Sequence, residues 1–96
     1  MRLLIAAILL AGFATVSSAE CLNCQIRRQN SKLANSWLFS HKGGKPRNLY
    51  EGIGYSTRSP GHALANVCYY GKRTMVARNI QWSPHRRGWV ATAWFR

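Results

Sequence analysis

Three kinds of side chain in this sequence could carry chemistry: thiols, imidazoles and one carboxylate set among glycines. Cys21-Leu-Asn-Cys24 has the C-x-x-C spacing of redox and metal-binding pairs, and Cys68 follows alone. A helix N-terminus would activate a thiol at that motif, but the longer βαβ pattern of a thioredoxin-like domain is missing. The three cysteines with one of His41, His62 or His85 could complete a tetrahedral zinc site. Only one pair stands at motif spacing, so no metal and no cofactor is expected. The reading adopted is a structural disulfide between Cys24 and Cys68, with Cys21 as the alternative partner. Closing that loop of about 45 residues would stabilise the fold by roughly 2–4 kcal/mol.

Hydrolytic chemistry would draw on an imidazole, a carboxylate and cations that stabilise a phosphorane. For a ribonuclease the sequence offers His85, Glu51 and Arg87. No spacing ties these three together, and the plainer expectation for Glu51 is a surface partner for one of many arginines. Acidic residues number only two, Glu20 and Glu51, too few for a metal-binding carboxylate cluster. The glycine pair in "EGIGYSTRSP" lacks the third glycine of a dinucleotide fingerprint and the Gly-Lys-Ser/Thr of a P-loop. Gly52 and Gly54 are instead expected to let a helix or strand approach the backbone closely.

The segment "QWSPHRRGW" brings Trp82 and Trp89 to either side of His85, Arg86 and Arg87, with Arg78 nearby and Lys72-Arg73 at the preceding corner. Cations interleaved with aromatic rings suit single-stranded nucleic acid, where rings stack under bases. They equally suit a membrane interface, where tryptophan sits at the head groups and arginine meets anionic lipid. The eight expected binding residues are Lys72, Arg73, Arg78, Trp82, His85, Arg86, Arg87 and Trp89.

These side chains need elements to hold them. Arg2, an apolar run from Leu3 to Ala14 and the small residues Ser17-Ser18-Ala19 form a secretory signal peptide, placing the protein in a secreted or periplasmic space. The apolar run is too short to span a bilayer. Cleavage after Ala19 leaves 77 of the 96 residues, with 13 basic residues against two acidic, a net charge of +11. A domain of that size has a small core and often relies on disulfides.

Residues 20–39 are expected as a helical arm, because Leu22, Ile26, Leu33 and Trp37 share one side of a helix. Residues 40–48, "SHKGGKPRN", form a basic Gly/Pro loop. Residues 49–96 form a β-α-β-β unit. Leu49 to Thr57 alternates as a strand; Ser59 and Pro60 start a helix; Met75 to Trp82 and Trp89 to Phe95 are strands joined by a Pro/Gly turn. The expected fold is a small single α+β domain with helices covering one face of an antiparallel sheet.

The charge excludes cationic partners and favours anionic ones. A small exported, strongly cationic, disulfide-supported, non-enzymatic binding protein is therefore expected, acting on an envelope lipid or polysaccharide, nucleic acid or an acidic protein. The alternative is a small secreted ribonuclease.

Overall fold

Helix α1, Leu22–Ala34, begins where Cys21 Sγ accepts the backbone N–H of Cys24 at 3.0 Å, an N-cap contact. It ends at Asn35, whose backbone N–H and side-chain Nδ2 both donate to the Ser31 carbonyl. The buried stripe is Ile26, Gln29, Asn30, Leu33 and Ala34. Trp37 does not belong to it: the helix stops three residues earlier and the indole is 84% exposed. The structure, a computed structural model, describes residues 20–96, so the expected signal peptide, 1–19, lies outside the described residues.

Strands β1 (Tyr50–Ser56), β2 (Met75–Ser83) and β3 (Gly88–Phe95) pair antiparallel in the order β1-β3-β2, with a bulge between Met75 and Ala77. Helix α2, Pro60–Ala65, is capped by Ser59 Oγ, which accepts the His62 N–H at 3.0 Å, with Pro60 at its first turn. The class and the order of elements are those expected, a small single α+β domain.

The placement of the helices differs from expectation. Ala91, Ala93 and Phe95 point to the α2 side, where they pack with Ala63, Leu64 and Val67. Val90 and Trp94 point the other way, to Leu33, Ala34 and Ile26 of α1. The two helices thus cover opposite faces, because β3 is apolar on both and each face needs a cover. On the α2 side Gly52 and Gly54 admit the helix: a Cβ at either would overlap the Cys68 or Ala63 carbonyl oxygen.

A polar tie fixes α1 in place. Buried Asn30 donates from Nδ2 to the Val90 and Asn79 carbonyls at 3.2 and 3.0 Å, and accepts the Thr92 hydroxyl at 2.8 Å. Ser83 Oγ donates to the Ala34 carbonyl at 2.7 Å. Among the described residues no buried side-chain polar atom lacks a partner, as a satisfied interior requires.

The disulfide is corrected as well. Cys21 pairs with Cys24, their Cα atoms 5.2 Å apart, and Cys68 is free and exposed. Cys68 lies beyond the end of α2 on one side of the sheet, and the C-x-x-C pair starts α1 on the other. The sheet lies between them, whereas a bridge needs Cα atoms within roughly 7 Å. A closed loop of four residues stabilises by only about 2 kcal/mol in the chain-entropy argument.

Candidate functional site

The expected binding residues are split between the two ends of the sheet. Ser83 pairs with Gly88 beside the hairpin turn, whereas Glu51 pairs with Trp94, six residues further along β3. At about 3.4 Å per residue the separation is roughly 20 Å. His85 and Arg87 therefore do not meet Glu51, and the trio expected for a ribonuclease is not assembled.

At the hairpin end, Arg86 is a structural clamp. Its Nη1 donates to the Leu33 carbonyl at 3.1 Å, and its Nη2 to the Trp37 carbonyl at 3.2 Å. The guanidinium carbon stands 5.3 Å from the Phe39 ring centroid, and Tyr55 OH donates to the Arg86 carbonyl at 2.7 Å. Cations favour this position because the last carbonyls of a helix are unsatisfied and partly negative. Lys42 completes the clamp: its Nζ donates to Ser36 Oγ at 2.9 Å and to the Leu38 carbonyl at 3.0 Å.

Two cations thus satisfy the backbone of residues 36–42 from the inside and leave its apolar side chains outside. Trp37 stacks on His85 at 4.6 Å between centroids, Leu38 is 68% exposed, and Phe39 is exposed beside them. Arg87 is exposed at the turn, held at φ +50°. On the opposite face of the same end, Trp82 is 48% exposed and meets the half-buried Trp89 edge-on at 5.3 Å. Exposed Arg78 lies on that face two residues from Ile80. Trp82, Trp89 and Arg78 therefore do not share a surface with Arg86.

The other end holds a cleft of about 460 Å³ lined by His41, Lys45, Arg47, Tyr50, Glu51 and Tyr69, among others. Glu51 is not a surface partner for an arginine. Its side chain is 3% exposed and accepts Trp94 Nε1–H at 2.8 Å and Gln29 Nε2–H at 3.2 Å. His41 Nδ1 donates to its second oxygen at 2.7 Å. Gly44 lies against the Gln29 amide, which a Cβ there would displace, so the loop that carries His41 is seated on the residue that holds Glu51. Arg73 joins this end, its guanidinium carbon 3.7 Å from the Tyr50 ring centroid. Lys72 is exposed on the same connection.

Two candidate groups escaped the sequence reading. The pair His41–Glu51 is ten residues apart across a loop, and no periodicity links its members. Trp37-Leu38-Phe39 was signalled by an uninterrupted apolar triplet directly before a polar Gly/Pro loop, but helical spacing claimed its first member for the core. Among the described residues no three His, Cys, Asp or Glu side chains gather closely enough to hold a metal ion. No protein-family profile, curated protein or solved structure matches this chain.

Proposed function

We propose that the protein is a binding module whose partner is an anionic lipid surface of the cell envelope, engaged by the hairpin end. The observation that carries this reading is the clamped loop. Trp37, Leu38 and Phe39 are exposed side by side, while Arg86 and Lys42 hold the loop backbone from behind.

A fold has no internal need for three adjacent exposed apolar side chains; such patches mark contact surfaces. Leu38 favours lipid over the other anionic partners in this reading. An aliphatic side chain gains nothing by stacking under a base, but it gains about 25 cal/mol for each Å² buried among acyl chains. Tryptophan at the head-group level and cations at the loop base complete an interfacial wedge. Each cation near an anionic leaflet adds about 1 kcal/mol. Among the described residues no helix is long and apolar enough to cross a membrane.

Co-sedimentation with phosphatidylcholine vesicles, with and without phosphatidylglycerol, tests the reading. Binding that requires phosphatidylglycerol, weakens with salt and is lost in Leu38→Ser is expected. Equal binding by Leu38→Ser, or tight binding to RNA or an acidic protein with none to vesicles, would overturn it.

A further inference from the structure

The cleft at the far end of the sheet is not explained by lipid binding. We infer that it is a catalytic site that cleaves RNA by internal transesterification, with His41 as the proton carrier. Three observations converge on this ligand and reaction.

The first is the dyad. Glu51 is buried, fixed from two sides by Gln29 and Trp94, and takes the Nδ1–H of His41. A buried carboxylate on one ring nitrogen fixes the tautomer, so the other nitrogen is a base aimed away from Glu51. The His41 side chain is 58% exposed and lines the cleft, so Nε2 is the nitrogen a substrate would meet. The same hydrogen bond satisfies the buried Glu51 Oε2 and ties the loop to the sheet, and it leaves the second ring nitrogen free for chemistry.

The second is charge. Lys45 and Arg47 line the same cleft, and Arg73 stands over Tyr50 at its rim. Cations around a phosphodiester stabilise the extra negative charge of a phosphorane.

The third is the aromatic pair. Tyr50 and Tyr69 have centroids 5.6 Å apart, and both rings are partly exposed. Paired rings beside cations give bases a surface to stack on. A ligand that uses all three features carries a phosphate, a base and a hydroxyl with a removable proton, which is the chemical description of RNA.

The step balances without a metal, water or second substrate. His41 Nε2 takes the proton of the ribose 2′-hydroxyl as the 2′-oxygen forms its bond to phosphorus. The P–O5′ bond breaks, and the imidazolium returns the same proton to the departing 5′-oxygen. The products are a 2′,3′-cyclic phosphate and a 5′-hydroxyl. His41 is the catalytic residue, and Glu51 is a positioning residue that acts through it.

The test is a fluorophore-labelled single-stranded RNA and its DNA counterpart, incubated with the purified protein and its variants. The wild type should release cyclic-phosphate ends from RNA and leave the DNA intact. Because general acid–base catalysis contributes typically 10²–10⁴-fold, His41→Ala should lose at least about 100-fold. Circular dichroism would verify that this variant keeps its fold, and His41→Asn, whose amide can still donate to Glu51, should lose as much activity. His62→Ala, beside Ser56 at the opposite end of β1, should stay within about twofold. In Glu51→Gln the amide would donate to Nδ1 and force the proton onto Nε2, so kcat should fall with KM unchanged. Cleavage by His41→Ala at the wild-type rate, equal cleavage of DNA, or no cyclic phosphate from the wild type would each overturn the inference. None of these outcomes bears on vesicle binding, which uses the other end of the sheet.

Discussion

Arg86→Ala and Arg87→Gly remove one positive charge each from adjacent positions, and they should move stability in opposite directions. Arg86 makes two charge-assisted hydrogen bonds to carbonyls, to Leu33 at 3.1 Å and Trp37 at 3.2 Å, plus the stacking contact with Phe39. Hydrogen bonds from charged groups contribute about 1.5–3 kcal/mol when shielded and less when wet. The Leu33 contact is partly buried and the Trp37 contact is exposed, so about 1.5 and about 0.5 kcal/mol are reasonable. An exposed cation–π contact adds about 0.5 kcal/mol. The loss in Arg86→Ala is then about 2–3 kcal/mol, or roughly 10–20 °C in Tm for a domain of this size. Arg87 sits at φ +50°, a conformation glycine adopts without the Cβ penalty. Arg87→Gly should lie between no change and about 1 kcal/mol more stable. Thermal and urea melts followed by circular dichroism measure both. Arg86→Lys sharpens the contrast, because one ammonium cannot span both carbonyls and should recover only part of the loss. If Arg86→Ala melts within 1 °C of wild type, or both variants shift the same way, the clamp is not what holds the 36–42 loop.

Two further outcomes follow from the covalent and ionic details of α1. One thiol, Cys68, should react with Ellman's reagent in the folded protein and three after reduction, and alkylation mapping should place the bridge between Cys21 and Cys24; a Cys24–Cys68 peptide would refute the pairing. The hydrogen bond from Arg28 holds the Glu20 carboxyl below the usual carboxylate range. A carboxyl lowered in the folded state contributes stability above its ordinary pKa and loses it as pH falls through the lowered value. Nuclear magnetic resonance should therefore find Glu20 titrating at lower pH than it does in Arg28→Ala, and identical titrations would exclude the pair.

The fold was legible where local chemistry and periodicity agreed. Ser59-Pro60 starts α2, alternation marks β1, and the Pro/Gly turn joins β2 to β3, all read directly from residue types. What failed was the assignment of faces. Trp89, Ala91, Ala93 and Phe95 share a face in sequence and in structure, but Val90, Thr92 and Trp94 are buried as well. A strand buried on both sides reads as a continuous apolar run, and that run asks for two covers. Asparagine is a weak helix former, yet Asn30 is consumed by the sheet and stabilises the helix at that position. The candidate site was legible only in composition. Residue types announced cations and aromatics, but which of them meet depends on the β1-β3-β2 order, and no local signal carries it.

The charge itself supports the view that these surfaces face outward to a partner. Both acids of the described chain are consumed locally, Glu20 by Arg28 and Glu51 by His41, Gln29 and Trp94. Arg28, Arg86 and Lys42 have clear local roles. Arg27, Lys32, Arg47, Arg58, Lys72, Arg78 and Arg87 are exposed, with no carboxylate left in the described chain to pair with them. Mutual repulsion among such charges opposes compaction, so a sequence shaped only for folding would have fewer of them or more acids between them. The surplus is useful only if something anionic relieves it. In the readings proposed above that relief comes at two places: a lipid surface met by the apolar loop, and a phosphodiester held at the His41 cleft. High salt should therefore stabilise the free protein against melting while weakening both interactions. A domain whose cations were engaged internally would lose stability under the same conditions.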